Sequence, residues 1–217
     1  MNRRTMIKQA ALSSLTLISL TSFAQAAPVC KKQKTPIQPE GPFYPVNSQL
    51  DTDSDLIQLS GSNKVADGEI IYIKGIVTDQ FCKPVSGVLV EIWQACKSGK
   101  YNHPSDPNTA KLDPYFQYWG KAVTNLNGEY TFRTIIPGAY PADTNWIRPP
   151  HIHFKISRHG YLELITQMYF SGNKYNTADK ILKKLSLEQQ KNVIVELKKS
   201  LNDLQRTANF NIEIEKI

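Results

Sequence analysis

The stretch RPPHIHFKI, residues 148–156, decides how the chain is read. Along a β-strand successive side chains point to opposite faces, so Ile152, Phe154 and Ile156 share one face while His151 and His153 share the other. The apolar face calls for a packed core behind it. The other face carries two imidazoles side by side, which is either a pair of solvated polar groups or the start of a metal site.

Similar strand signals recur along the chain at short, regular spacing. EIIYIKGIV (69–77) and VLVEIWQA (88–95) flank a turn, and in KAVTNLNGEYTFRTI (121–135) an Asn127-Gly128 turn joins two strands. HIHFKISR (151–158) and ELITQMYF (163–170) are separated by a His-Gly turn, and NFNIEIEKI (209–217) alternates as a closing strand. This hairpin-rich pattern predicts a mainly β fold, an antiparallel β-sandwich core with long loops. Two short C-terminal helices are expected as well. One is TADKILKKL (177–185), and the other runs over 186–205 with Val193, Leu197, Leu201 and Leu204 at helical spacing. Ser186 with Gln189 three residues on forms a capping-box arrangement at its start. The long connection 97–119 exceeds ordinary loop length and is expected to be functional.

The chain has 217 residues and a formal net charge of +7. A basic start with Arg3, Arg4 and Lys8, an apolar run from Ala10 to Phe23 and the small-residue site Ala24-Gln25-Ala26 read as an export signal over 1–26. The paired arginines suit a twin-arginine signal, and a periplasmic destination is expected. The apolar run is short of the roughly 20 residues a membrane span requires, so no stable span is expected after processing. Removing the signal takes away three basic residues and no acid, so the charge falls to +4. The remaining cations are dispersed, which argues against nucleic acid, and the mild positive balance suits an anionic small substrate. An extended arm is expected over 27–68 and one sandwich domain over 69–217. Of Cys30, Cys82 and Cys96, an exported protein is expected to pair two and leave one.

No nucleophile elbow and no phosphate-cradling glycine loop is present. Zinc at His151 and His153 would want further His or Cys ligands, and His103 and His159 are the only other histidines. A hard, highly charged cation with mixed imidazole and phenolate ligands remains. A free tyrosine ionises near about pH 10, and Fe(III) is a strong enough Lewis acid to hold it deprotonated. Tyr101 in GKYNHP and Tyr140 in IPGAYPAD, eleven residues before His151, lie in loops that feed the strands.

The segments EGPFYP (40–45), PVSGVLVEIWQA (84–95), GKYNHP (99–104), LDPYFQYWGKAVTNLNGEYTFRTIIPGAYP (112–141), WIRPPHIHFKI (146–156) and LITQMYF (164–170), with the closing FNIEI, resemble the intradiol ring-cleaving dioxygenases. The resemblance is greatest to the iron-bearing chain of the protocatechuate 3,4-dioxygenase branch. It implies a non-haem Fe(III) held by Tyr101, Tyr140, His151 and His153 between the two β-layers, with Tyr101 and His151 equatorial and Tyr140 and His153 axial. It also implies a catecholic substrate and O2, and ring cleavage between the two hydroxylated carbons to a cis,cis-muconate-type diacid. Tyr140 would act as ligand and then as proton acceptor. Arg148 would stabilise developing negative charge, with Gln167 a hydrogen-bonding partner near the iron. The branch builds sites between unlike chains, so a homo- or hetero-oligomer stays open.

Two departures fall where a ring substituent would lie. Pro141 is followed by Ala142 where the family commonly has Trp, and the Tyr140–His151 connection is about two residues shorter than typical. Protocatechuate, catechol, a substituted catechol and hydroxyquinol all stay open. Two rival readings remain. Residues 75–132 alone equally suit a non-catalytic transthyretin-like sandwich that binds without a metal. A cupin-like Fe(II) or Mn(II) site would use the same H-x-H but want a downstream Glu and a third His on a neighbouring strand, and no His follows His159.

Overall fold

A computed structural model describes residues 34–46, 49, 51–200 and 203–217, all within the compact unit Lys31–Ile217. The expected export signal and Cys30 lie outside the described residues. Two five-stranded sheets face each other. In the first, β1 (Ile70–Asp79) pairs antiparallel with β4 (Glu129–Ile135) and parallel with β11 (Asp203–Asn209) and β12 (Ile212–Ile214), while β10 (Leu197–Ser200) adds to β11. The second has the order β3 (Trp119–Val123), β2 (Leu89–Trp93), β7 (His151–Ser157), β8 (Leu164–Phe170) and β9 (Ile194–Val195). A ribbon of β5 (Tyr140–Asp143) and β6 (Trp146–Arg148) stands beside them.

The alternation in the sequence builds this core. Ile71, Ile73 and Val77 of β1, Phe132 of β4, Val90 and Ile92 of β2 and Ile152, Phe154 and Ile156 of β7 form one buried cluster. Phe154 meets Tyr130 at 6.3 Å and Phe210 at 4.8 Å, ring to ring, across the layers. Leu56 and Ile57, in the irregular stretch before β1, are fully buried in the same cluster. The mainly β sandwich expected from the sequence is what forms.

Its detail departs from expectation in two ways. The sheets are mixed, because β1 with β11 and β12, and β8 with β9, run parallel. The C-terminal segment holds one α-helix, α1 (Leu187–Val193), preceded by two short 3-10 turns over Asn176–Ala178 and Leu182–Lys184. Ser186 does cap α1: its Oγ accepts from Gln189 N at 3.2 Å, and Gln189 Oε1 accepts from Ser186 N at 2.9 Å. The helix stops at Val193 because β-branched Ile194 and Val195 pair with Tyr169 and Phe170 on the free edge of β8. Leu197 then lies in β10, with Leu201 outside the described residues and Leu204 in β11, so their helical spacing is incidental. Among the described residues no helix is long and apolar enough to cross a membrane.

Candidate metal centre

Because Ile152, Phe154 and Ile156 face the core, His151 and His153 project from the outer face of the second sheet. The ion site implied by the resemblance therefore lies outside the sandwich, not between its layers. Register places the neighbours: His153 stands between Trp93 of β2 and Gln167 of β8, and His151 opposite Tyr169. The irregular segment 34–46 covers this face. Gln38 N donates to Ile165 O at 2.9 Å, Gln38 Oε1 accepts from Gln167 N at 2.9 Å, and Gln38 Nε2 donates to Tyr169 OH at 3.1 Å. Phe43 of the same segment lays its ring 4.7 Å from that of Tyr101 and 6.2 Å from that of Tyr140.

Tyr101 lies in a loop as expected, whereas Tyr140 is the first residue of β5, and the stretches just before the two touch backbone to backbone. Gly99 adopts φ +82°, and a Cβ there would lie 2.5 Å from Ala139 O; a Cβ on Gly138 would collide with Lys97 O. The long 97–119 loop is pinned by Asp106, whose Oδ2 accepts from Tyr101 N at 2.7 Å and Oδ1 from Asn108 N at 2.8 Å. The rings of Tyr101 and Tyr140 then stand 5.5 Å apart at 88°.

The structure thus brings Tyr101, Tyr140, His151 and His153 together, all buried. His151 Nε2 is 3.2 Å from His153 Nε2 and 3.4 Å from Tyr101 OH. His151 Nδ1 lies 2.7 Å from Pro149 O, which fixes its proton on Nδ1 and leaves a lone pair on Nε2. His153 Nδ1 has no hydrogen-bond partner among the described residues, and its ring stacks on Trp93 at 4.7 Å and 13°. Burial first and the Arg148 charge second hold both imidazoles well below their usual pKa, so both are neutral and able to ligate. Burial pushes the Tyr101 phenol well above its usual range and raises that of Tyr140, with Arg148 opposing in each case. Nitrogen lone pairs and phenol oxygens converging on one buried spot are stable only with a proton or a cation between them. Among the described residues no three His, Cys, Asp or Glu side chains cluster, so any cation here relies on the tyrosines. Two imidazoles and two phenols are a donor set that suits a hard, highly charged cation, because a bound cation favours the ionised form of the groups that ligate it. His159 is exposed and His103 accepts from Ser105 N at 3.1 Å, so neither joins.

Arg148 is buried beside this cluster. Its Nη2 donates to Gln167 Oε1 at 2.6 Å and lies 3.3 Å from Tyr169 OH, while its Nε donates to Asp179 Oδ2 at 2.8 Å. Gln167 is fully buried and donates through Nε2 to Pro39 O at 2.7 Å, so it orients Arg148 and ties down the covering segment. Asp179, Trp93, Tyr169, Gln38 and Phe43 were missed in the sequence, where none stands near the H-x-H. Only the register of β2 and β8 with β7 could have pointed to Trp93 and Tyr169. A cavity of about 310 Å3 opens on Tyr140, Arg148 and His153, with Phe43, Pro141, Trp146 and Ile181 among its walls. That is the small end of the ~300–1,000 Å3 typical of ligand sites.

The sequence profile of the Dioxygenase family matches residues 39–215, and the chain belongs to that family. It is 41% identical to the protocatechuate 3,4-dioxygenase beta chain of Burkholderia cepacia over 64% of this chain and 61% of that protein. It is 30% identical to catechol 1,2-dioxygenase of Candida albicans over 65% of this chain and 48% of that one. The chain thus spans about half to three-fifths of the length of these relatives. Among solved structures, the dioxygenase domain of a carbohydrate-binding fusion protein from Streptomyces sp. SirexAA-E superposes with a TM-score of 0.64 at 28% identity, covering 85% of this chain and 99% of that one. An intradiol ring-cleavage dioxygenase from Tetranychus urticae gives 0.63 at 26% identity, covering 84% and 94%.

Proposed function

We propose that this chain is a non-haem Fe(III) intradiol dioxygenase that cleaves a catechol-type ring between its two hydroxylated carbons with O2, yielding a cis,cis-muconate-type diacid. The observation that carries the reading is the meeting of two buried phenols with two neutral imidazoles at the end of an aromatic-walled cavity. Bound there, Fe(III) would hold the phenols as phenolates and make a chelated catecholate reactive towards O2. His151, with its tautomer set by Pro149 O, and His153, braced by Trp93, present fixed nitrogens. Tyr140 borders the cavity, so its Oη is the group able to take a proton from an entering catechol hydroxyl. Arg148, locked between Gln167 and Asp179, keeps its positive charge beside the donors without reorganisation, where negative charge would develop. Phe43, Pro141 and Trp146 exclude water from the ring.

The transthyretin-like binding module offers no use for this quartet, and family membership argues against it. Export is proposed as well: Cys82 is disulfide-bonded, which suits an oxidising compartment, while Cys96 is a free buried thiol. The test is the visible spectrum of the iron-loaded protein, followed by oxygen uptake with catechol. A broad tyrosinate-to-iron band that shifts when catechol is added, with stoichiometric diacid formation, is expected. Iron bound without that band would refute the two-tyrosine site.

A further inference from the structure

The charges lining the cavity bear on the choice of ligand, in a way that rests on the ring-cleavage reading and deepens it. The walls beyond the donors are mostly apolar, with Pro42, Phe43, Pro107, Ala142, Trp146 and Ile181, and Ser105 is the one uncharged hydroxyl among them. Two charged side chains line it. Asp106 is one, a carboxylate held by Tyr101 N and Asn108 N, with Lys100 3.9 Å behind it. Arg148 is the other, and it is 4% exposed, with its charge matched by the fully buried Asp179. Beyond Lys100, the cation Lys180 lies over the Trp146 ring at 5.0 Å and faces Asp143 at 3.8 Å, with a side chain 57% exposed. The net positive charge of the chain is therefore not directed at the ligand.

We infer that this cavity selects uncharged catechols, bare or carrying a small apolar substituent, and rejects ring carboxylates such as 3,4-dihydroxybenzoate, although the relative from Burkholderia cepacia is named for that acid. A carboxylate carried into these walls would lose its water, find no unpaired cation and approach Asp106. A methyl group in the same place would instead bury apolar surface against Ile181 and Trp146. Ala142 is part of the reason, since it leaves room for a small substituent without offering a polar partner.

The test uses the iron-loaded full chain and two ligands that lack the second hydroxyl and so cannot be cleaved, phenol and 4-hydroxybenzoate. Calorimetric titration is expected to show 4-hydroxybenzoate binding at least about tenfold more weakly than phenol. Equal or tighter binding of the acid would overturn the inference. Ile181→Lys, which sets a cation in the wall, is expected to raise binding of the acid relative to phenol by about tenfold or more; no change would overturn the assignment of this wall as the selective element. Oxygen uptake with catechol, 4-methylcatechol and 3,4-dihydroxybenzoate should keep the same order. Failure to turn over any of the three would sink the ring-cleavage reading, while the binding ratio still decides the selectivity.

Discussion

Replacing Asp179 with asparagine keeps the size of a fully buried side chain and removes its charge. The carboxylate accepts four hydrogen bonds: Oδ1 from Ile181 N at 3.1 Å and Leu182 N at 2.7 Å, Oδ2 from Arg148 Nε at 2.8 Å and Trp146 Nε1 at 3.2 Å. An amide has one acceptor oxygen, so whichever way it turns, its NH2 meets two donors. Arg148, with a side chain 5% exposed, is left without its counter-ion. Removing one partner of a buried pair costs about 3–5 kcal/mol. For a unit of this size each kcal/mol moves Tm by roughly 2–4 °C, so the expected fall is roughly 6–20 °C. Thermal unfolding by circular dichroism measures it. Adding Arg148→Met to the Asp179→Asn protein should restore part of the loss, because the uncompensated charge goes with the arginine. A single variant within about 1 kcal/mol of the parent, or a double variant no better than the single, would refute the buried-pair argument.

Tyr101→Phe and Tyr140→Phe each keep the ring and delete one phenol oxygen; each should weaken and shift the visible band of the iron-loaded protein, and an unchanged spectrum would remove that tyrosine from the site. Trp93→Ala should cost about 3–5 kcal/mol in denaturant unfolding, and Trp93→Phe distinctly less, because the indole Nε1 has no hydrogen-bond partner among the described residues and a ring still stacks on His153. Equal losses would show that the stack contributes nothing. Gln38→Ala should cost about 1–3 kcal/mol by stranding the buried Gln167 N–H, and a stability unchanged in urea titration would mean that the covering segment is not held there.

The alternation of HIHFKI gave the strand, its core face and the imidazole pair, because a two-residue period is a local property of the chain. The capping box at Ser186 was legible for the same reason. The path of the chain beyond α1 was not legible. Val193, Leu197, Leu201 and Leu204 recur at helical spacing, and only the free edge of β8, brought close by folding, makes Ile194 and Val195 a strand. The same alternation puts the histidines on the face away from the core, and the expectation of an ion between the layers came from the resemblance, not from the strand. Asp179 is 31 residues beyond Arg148 in a segment that reads as a helix, and nothing local marks it as the partner of a buried guanidinium. Tyr101 and Tyr140 could be named from motif order, but the contact that unites them depends on Gly99 and Gly138, whose role is visible only where backbones meet.

The segment carrying Gln38 also imposes an order of events on biosynthesis. Its partners Gln167 and Tyr169 are 129 and 131 residues further along. It is among the first parts of the unit to be synthesised, and although Phe43 meets Tyr101 and Tyr140 earlier in the chain, Gln38 has no partner on this face until β8 has been made. Contacts of such separation carry a large loop-closure cost and form slowly. The cover over the two imidazoles is therefore tied down at Gln38 only by a strand made after the one that carries them.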